Sequence, residues 1–393
     1  MIELDRRLFL KSAALIGCSA AAHPLMTSMT FASLPSDNRL VVIILRGAMD
    51  GLDAIQPYGD PMLAKLRRNI SVGPEDGALD LDGFHALHPR LAPLMPLWKK
   101  GELAFAHAVS TPYRDKRSHF DGQDLLEAGT GNDLPVDWRV GGWLNRLLQA
   151  MPGTTAETAY AVGLEQMKIL SGTAAHLGWA PRSSVTLSSQ GQMLLDHVYH
   201  DDPMFRDAAR DAFRIAAETE TPERGKGPTA DEAALGAFAA SRLNGASRIA
   251  AFSIGGWDTH ANQGPVIGRA LDKLSAAILA LRDGLGANWG STTVLAMTEF
   301  GRTVRENGSN GTDHGTGGAL LMAGGAIRGG RAFGDWPGLG EGDLYAGRDL
   351  MPTRDIRAYA AWAMHGLFGT KREMLERSIF PGLDLGADPR MLA

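Results

Sequence analysis

Four short stretches carry side chains of the types that bind cations or attack esters. They are Asp50 with Asp53, the pair Ser118-His119, the triplet Asp258-Thr259-His260, and Glu299 followed by Asp313-His314. Carboxylates and imidazoles together suit a hard or borderline divalent ion, and two ligand types one residue apart, as in Asp258-x-His260, can share one cation. A serine beside such an ion is a candidate nucleophile, because the ion favours the deprotonated oxygen. Arg302, Arg305 and Arg117 are spaced near these groups and suit the nonbridging oxygens of an anionic ester.

Each stretch follows an apolar run that reads as a strand. Arg39–Leu45, Glu102–Val109, Arg248–Ile254 and Thr293–Met297 are continuous and rich in β-branched or small apolar residues, as expected of strands buried on both faces. Ala319–Ala323 follows the Asp313-His314 stretch in the same way. Helical patterns lie between them: Pro61–Arg68, Arg90–Lys100, a helix opened by Ser118 as cap, Gly142–Ala150, Ala230–Asn244, Val266–Leu285 and Thr353–Leu367 with Thr353 as cap. Strands alternating with helices predict an α/β fold with a mostly parallel central sheet flanked by helices. In such a sheet the strand carboxyl ends gather on one rim, so the four stretches converge there.

At 393 residues with 44% hydrophobic and 21% charged residues, the chain has the composition of a globular enzyme. A net charge of −5 offers no basic face for a phosphate backbone, which excludes nucleic acid as the expected partner. Residues 33–393 read as one large domain, with a polar and helical insertion at about 171–228 that includes a helix over Gln190–Glu218.

The amino terminus, Asp5-Arg6-Arg7-Leu8-Phe9-Leu10-Lys11 followed by a weakly apolar run, resembles a twin-arginine signal peptide over residues 1–32. It implies the twin-arginine translocase as a partner during export and a periplasmic or secreted location. The lone cysteine, Cys18, lies in Leu15-Ile16-Gly17-Cys18, which also resembles a lipoprotein processing box and leaves lipid anchoring open. No other run reaches the length of a membrane span.

The order of strand ends and ligand-type residues resembles the alkaline phosphatase/sulfatase/phosphomutase superfamily. More closely, Arg46-Gly47-Ala48-Met49-Asp50-Gly51-Leu52, Ser118-His119-Phe120-Asp121-Gly122-Gln123-Asp124, Gly255-Gly256-Trp257-Asp258-Thr259-His260-Ala261-Asn262-Gln263, and Glu299-Phe300-Gly301-Arg302-Thr303 with Asn307-Gly308 and Gly311-Thr312-Asp313-His314-Gly315 are similar to a twin-arginine-exported bacterial family known only as domain of unknown function 1501. The resemblance implies an alkaline-phosphatase-like fold and a divalent metal (Zn, Mn, Ca or Mg). It assigns Asp258, His260 and His314 to one ion, Asp50 and Glu299 to a second, and the nucleophile to Ser118, with Arg302 as a catalytic cation. Where the superfamily has Asp-His, this chain has Glu299-Phe300, so the second position would be completed by Asp313 or His119. The activity implied is hydrolysis of a small-molecule or polymer phosphate or sulfate ester. The alternative is a non-catalytic envelope binding protein that keeps the fold.

Overall fold

The computed structural model describes residues 37–114, 116–131, 134, 139–180 and 227–393. The expected signal peptide, Cys18 and the helix at Gln190–Glu218 lie outside the described residues. Contacts group Leu34–Ala393 as one compact unit.

The main sheet contains β1 (Arg39–Arg46), β2 (Leu103–Ser110), β3 (Ala159–Val162), β4 (Leu177–Trp179), β5 (Ile249–Gly255), β6 (Thr292–Thr298), β7 (Gly318–Ala323) and β8 (Arg331–Phe333). Their spatial order is β8-β2-β7-β6-β1-β5-β3-β4, and a two-residue strand at Arg354–Asp355 also pairs with β2. β1 is central and parallel to both neighbours, with Leu40 opposite Ile249 on β5 and Thr293 on β6.

The sheet is mixed, because β7 runs antiparallel to both β2 and β6. This has a direct consequence for the rim. With β7 reversed between them, β2 and β6 point the same way, so β1, β2, β5 and β6 all end on one edge and β7 begins there. His314, which precedes β7, is thereby delivered to the rim where the other stretches emerge.

Helices cover both faces because the strands are apolar on both. Val41, Ile43 and Leu45 of β1 pack into a core with α3 (Ala230–Leu243) and α4 (Gln263–Leu285). The alternate residues Leu40, Val42 and Ile44 pack into the opposite core with α2 (Trp143–Ala150) and α5 (Ile356–Phe368). All six are fully buried, and each contributes roughly 1.5–3 kcal/mol of transfer free energy. On α4 the buried residues Leu271, Leu274, Ile278, Leu281 and Leu285 recur every three or four positions and form one stripe.

Two expected helices differ. The 90–100 segment is a 3₁₀ turn over Pro89–Leu94 followed by one α-turn over Met95–Lys99, because Pro93 and Pro96 cannot donate the backbone bonds that a continuous helix needs. The C-terminal helix starts at Ile356, capped by Asp355 whose carboxylate accepts from Arg357 N, while Thr353 pairs through its backbone with Ala108 upstream. A small antiparallel sheet made by Ile55–Gln56, Ala86–Leu87 and Leu79–Asp80 was not legible as strands, being two residues each.

Candidate metal centre

α1 (His119–Ala128) begins just beyond the loop that follows β2, with Ser118 as N-cap. Its first residue, His119, faces the loop after β5, which carries Asp258 and His260. The third contributor is His314, whose neighbour Arg302 makes an isolated antiparallel bridge with it between β6 and β7. The donor atoms of His119, Asp258 and His314 all lie within 4.8 Å of one another. His260 joins them: its Nε2 is 3.1 Å from Asp258 Oδ1 and 2.9 Å from His314 Nε2.

The tautomers follow from what lies behind each ring. His119 Nδ1 is 2.8 Å from the Glu299 carboxylate, His260 Nδ1 is 3.1 Å from the Asp313 carboxylate, and His314 Nδ1 is 2.8 Å from the Arg117 carbonyl. All three partners only accept, so in the neutral rings each Nδ1 carries the proton and each Nε2 presents its lone pair. The three Nε2 atoms face the Asp258 carboxylate, His119 and His314 each at 3.4 Å. His119 Nε2 is buried and makes no hydrogen bond. Two lone pairs 2.9 Å apart and a third with no donor are costly unless a cation lies between them. Atoms bound to one ion at about 2.0–2.1 Å are separated from one another by about 2.9–3.4 Å, the range spanned by the His260–His314 separation and by the three imidazole–Asp258 separations.

Supporting groups tune the donors. The hydrogen bond from His119 to Glu299 raises that imidazole above its usual value against the effect of burial, which makes it a stronger base. Burial lowers His314, with the Arg117 carbonyl opposing, which favours its neutral form. For Asp258, burial works against the charge. The Arg302 hydrogen bond and charge, followed by His260 and His119, outweigh it and hold the carboxyl below the usual range. Asp313 is likewise opposed by burial and held low by Asn307 and His260.

Glu299 is fully buried, and its Oε1 accepts from His119, Gln123 Nε2 and the backbone amides of Gly47 and Ala48. It is therefore an orienting group behind an imidazole, and the structure does not bring it to the cluster as a direct ligand. Asp313 stands in the same relation to His260. Phe300 stacks on His119 with centroids 5.3 Å apart and packs on His314 at 5.2 Å, a wall that fixes both rings.

Asp50 stands apart. It caps the one-turn helix Gly51–Ala54, and its carboxylate is closed by both terminal nitrogens of Arg67 at 2.8 and 3.0 Å, by Gln263 Nε2 at 2.7 Å and by Leu52 N at 3.1 Å. With its oxygens saturated by buried donors, it organises the loops beneath the rim instead of joining a second ion. Arg302 is also a scaffold residue: its guanidinium donates to the carbonyls of Ala48, Thr312 and Gly47 and to Asp258 Oδ1. It positions Asp258 and has no free edge for a substrate oxygen. Ser118 Oγ accepts from Asp121 N at 3.4 Å, a weak helix cap one residue from His119.

His119 was visible in the Ser118-His119 pair, but the pair drew attention to the hydroxyl. Arg67 carried no signal, since it lies in an ordinary helical pattern, and Gln263 was visible only as the last residue of the motif that begins at Gly255. Gly47 was visible only as part of a Gly-rich turn. Its φ of +119° and the 2.8 Å between a Cβ built there and Asp258 N show why glycine is required where β1 passes the ligand loop.

The fold and the site define a three-layer α/β protein whose described residues hold a histidine-rich candidate cation site on the carboxyl rim of the sheet. The chain belongs to the family described as "Protein of unknown function (DUF1501)", whose sequence model matches residues 104–366. No curated protein matches the chain. Among solved structures, it is similar to the lipoteichoic acid synthase LtaP from Listeria monocytogenes (8% identity, 94% of this chain and 80% of that one, TM-score 0.42). It is also similar to the C-terminal periplasmic domain of EcEptC from Escherichia coli in complex with Zn (11% identity, 77% of each chain, TM-score 0.35). A third is a protein in the alkaline phosphatase superfamily from Vibrio parahaemolyticus (12% identity, 97% and 80%, TM-score 0.35). No helix of the described residues is long and apolar enough to cross a membrane.

Proposed function

We propose that the chain is an exported hydrolase of phosphate or sulfate esters that works with a single divalent cation held by His119, Asp258, His260 and His314. The observation that carries this reading is the convergence of three imidazole Nε2 lone pairs on one carboxylate, each ring anchored from behind by an acceptor. Three imidazoles with one carboxylate suit a borderline ion, so Zn²⁺ or Mn²⁺ is preferred over Ca²⁺ and Mg²⁺, which favour oxygen donors. Bound there, the cation supplies Lewis acidity toward an ester oxygen and toward water.

The remaining work falls to the chain itself. Glu299, Asp313 and the Arg117 carbonyl hold the rings in register, and Arg302 holds Asp258. Among the described residues, Arg117 and Arg305 are exposed arginines near the cluster in sequence, and their guanidinium groups suit the ester's nonbridging oxygens. Ser118 is engaged as a cap, so in this reading water attacks the ester directly and Ser118→Ala retains turnover.

Metal analysis of the purified protein, with Asp258→Ala and His314→Ala beside it, tests the site. Wild type should carry close to one equivalent and both variants should lose it; metal-free wild type sinks the reading. An aryl-phosphate and aryl-sulfate panel with each of the four ions then tests the activity. The use of Arg302 and Ser118 as structural groups favours a second reading, a cation-binding envelope protein without turnover. Stoichiometric metal with no hydrolysis of any ester would select it. Export belongs to both readings: replacing Arg6 and Arg7 together by Lys should retain the protein in the cytoplasm.

A further inference from the structure

Away from the cation cluster, a cavity of about 420 Å³ opens between the loop after Gln56 and the start of α4. That volume lies within the ~300–1,000 Å³ of small-molecule sites. Its lining includes Asp53, Gln263, Ser71, His88, Asn262 and Asn310. Asp53 is almost fully buried, yet among the described residues its carboxylate accepts only from two neutral amides, Gln263 Nε2 at 2.8 Å and Gln56 Nε2 at 3.3 Å.

The nearby cations are committed elsewhere. Arg67 donates to Asp50 and to the carbonyls of Val304 and Thr303, and Arg90 pairs with Asp272 at 3.2 Å. No basic side chain of the described residues lies within ion-pair distance of Asp53. Burial, followed by the charge of Asp50, pushes the Asp53 carboxyl above its usual range. Burial lowers the His88 imidazole, which disfavours its charged form. A buried acid without a cation, on the wall of an open cavity, is relieved by a cationic guest.

The rest of the lining defines the guest's frame. Ser71, Asn262 and Asn310 are exposed to the cavity mouth and offer hydroxyl and amide groups suited to ligand hydroxyls. Asn262 and Asn310 sit at φ +46° and +55°, an uncommon backbone region for non-glycine residues.

We propose that this cavity binds a small hydroxyl-rich ligand bearing one protonated amine, of the amino-sugar class, with the amine paired to Asp53. The site is independent of the cation cluster. It abuts that cluster through the 307–313 loop, where Asn310 O accepts from Gln263 N on the cavity side and Asp313 holds His260 on the other.

Calorimetric titration of the full chain with glucosamine and with glucose, at pH 7 where the amine is protonated and in the presence of EDTA, tests the proposal. The two sugars differ by an ammonium in place of a hydroxyl. Glucosamine should bind at least about tenfold more tightly than glucose, the value of one charge-assisted hydrogen bond. Asp53→Asn should remove that preference. Should Asp53→Asn fail to fold, Ser71→Lys carries the test, because it alters an exposed position and places an ammonium at the cavity mouth. It should weaken glucosamine about tenfold while leaving the melting temperature unchanged. Equal affinity for the two sugars, no binding of glucosamine, or indifference of binding to Ser71→Lys would each overturn it.

Discussion

His119 Nδ1 lies 2.8 Å from Glu299 Oε1, and the same oxygen accepts the amides of Gly47 and Ala48 from the end of β1. One buried carboxylate therefore ties the first residue of α1 to the central strand and sets which nitrogen of His119 faces Asp258. Conversion to Glu299→Gln replaces an acceptor-only group by an amide and weakens the hold on the ring. Metal affinity should fall about 10- to 100-fold, the usual effect of losing such an outer partner. Competition against a chelator of known affinity measures it, and an unchanged affinity would refute the orienting role.

Asp50 and Arg67 form a fully buried ion pair whose charged groups have no water to fall back on. Asp50→Asn leaves the guanidinium buried without its countercharge, which should destabilise the protein by roughly 3–5 kcal/mol. Denaturant unfolding reads the loss. Metal stoichiometry of the folded variant should stay that of wild type, whereas a role of Asp50 as ligand requires it to drop.

Gly47→Ala combines a left-handed backbone with a Cβ that would stand 2.8 Å from Asp258 N. The loop must shift or the turn must strain, at a cost on the order of 1–3 kcal/mol. Both stability and metal affinity should fall together. A variant with lowered stability and intact affinity would show that Asp258 is held independently of this turn.

His107 gives a pH dependence remote from the cluster. Buried on β2, it donates Nε2–H to Ile55 O at 2.8 Å, and burial together with the neighbouring His85 lowers its pKa to about 3. The unfolded chain, with an ordinary imidazole near 6.5, binds a proton that the folded state refuses in the interval between the two values. Stability contributed by this group is therefore full above about pH 6.5 and is lost on acidification toward pH 3, with a limiting slope of about 1.4 kcal/mol per unit. In His107→Gln the acid side of the stability profile should flatten relative to wild type; parallel profiles would exclude His107 as the source.

Much of this protein was legible as sequence. Apolar runs of five to eight residues such as Arg39–Leu45 identify strands buried on both faces, since no half-exposed strand tolerates two apolar faces. The 3–4 spacing of leucines on α4 identifies its buried stripe, and placing Asp258, His260 and His314 at strand ends follows from the alternation of elements. Local signals could not distinguish Thr353 from Asp355 as a cap, or foresee that two prolines would break the 90–100 helix into shorter turns.

Which side chain faces the cluster and which stands behind it was decided only by tertiary structure. Glu299 and Asp258 are both acids after strands, but Glu299 meets two backbone amides from β1 while Asp258 is left half exposed beside three imidazoles. Asp50 becomes structural because Arg67, 17 residues away, reaches it underneath the rim. The sequence by itself determined the chemical types available and the edge of the sheet on which they gather, because those depend on composition and on periodicity along the chain. The reversal of β7, which brings His314 to that edge, and the pairing of each carboxylate depend on contacts between residues far apart in sequence, and those exist only once the strands have taken their order.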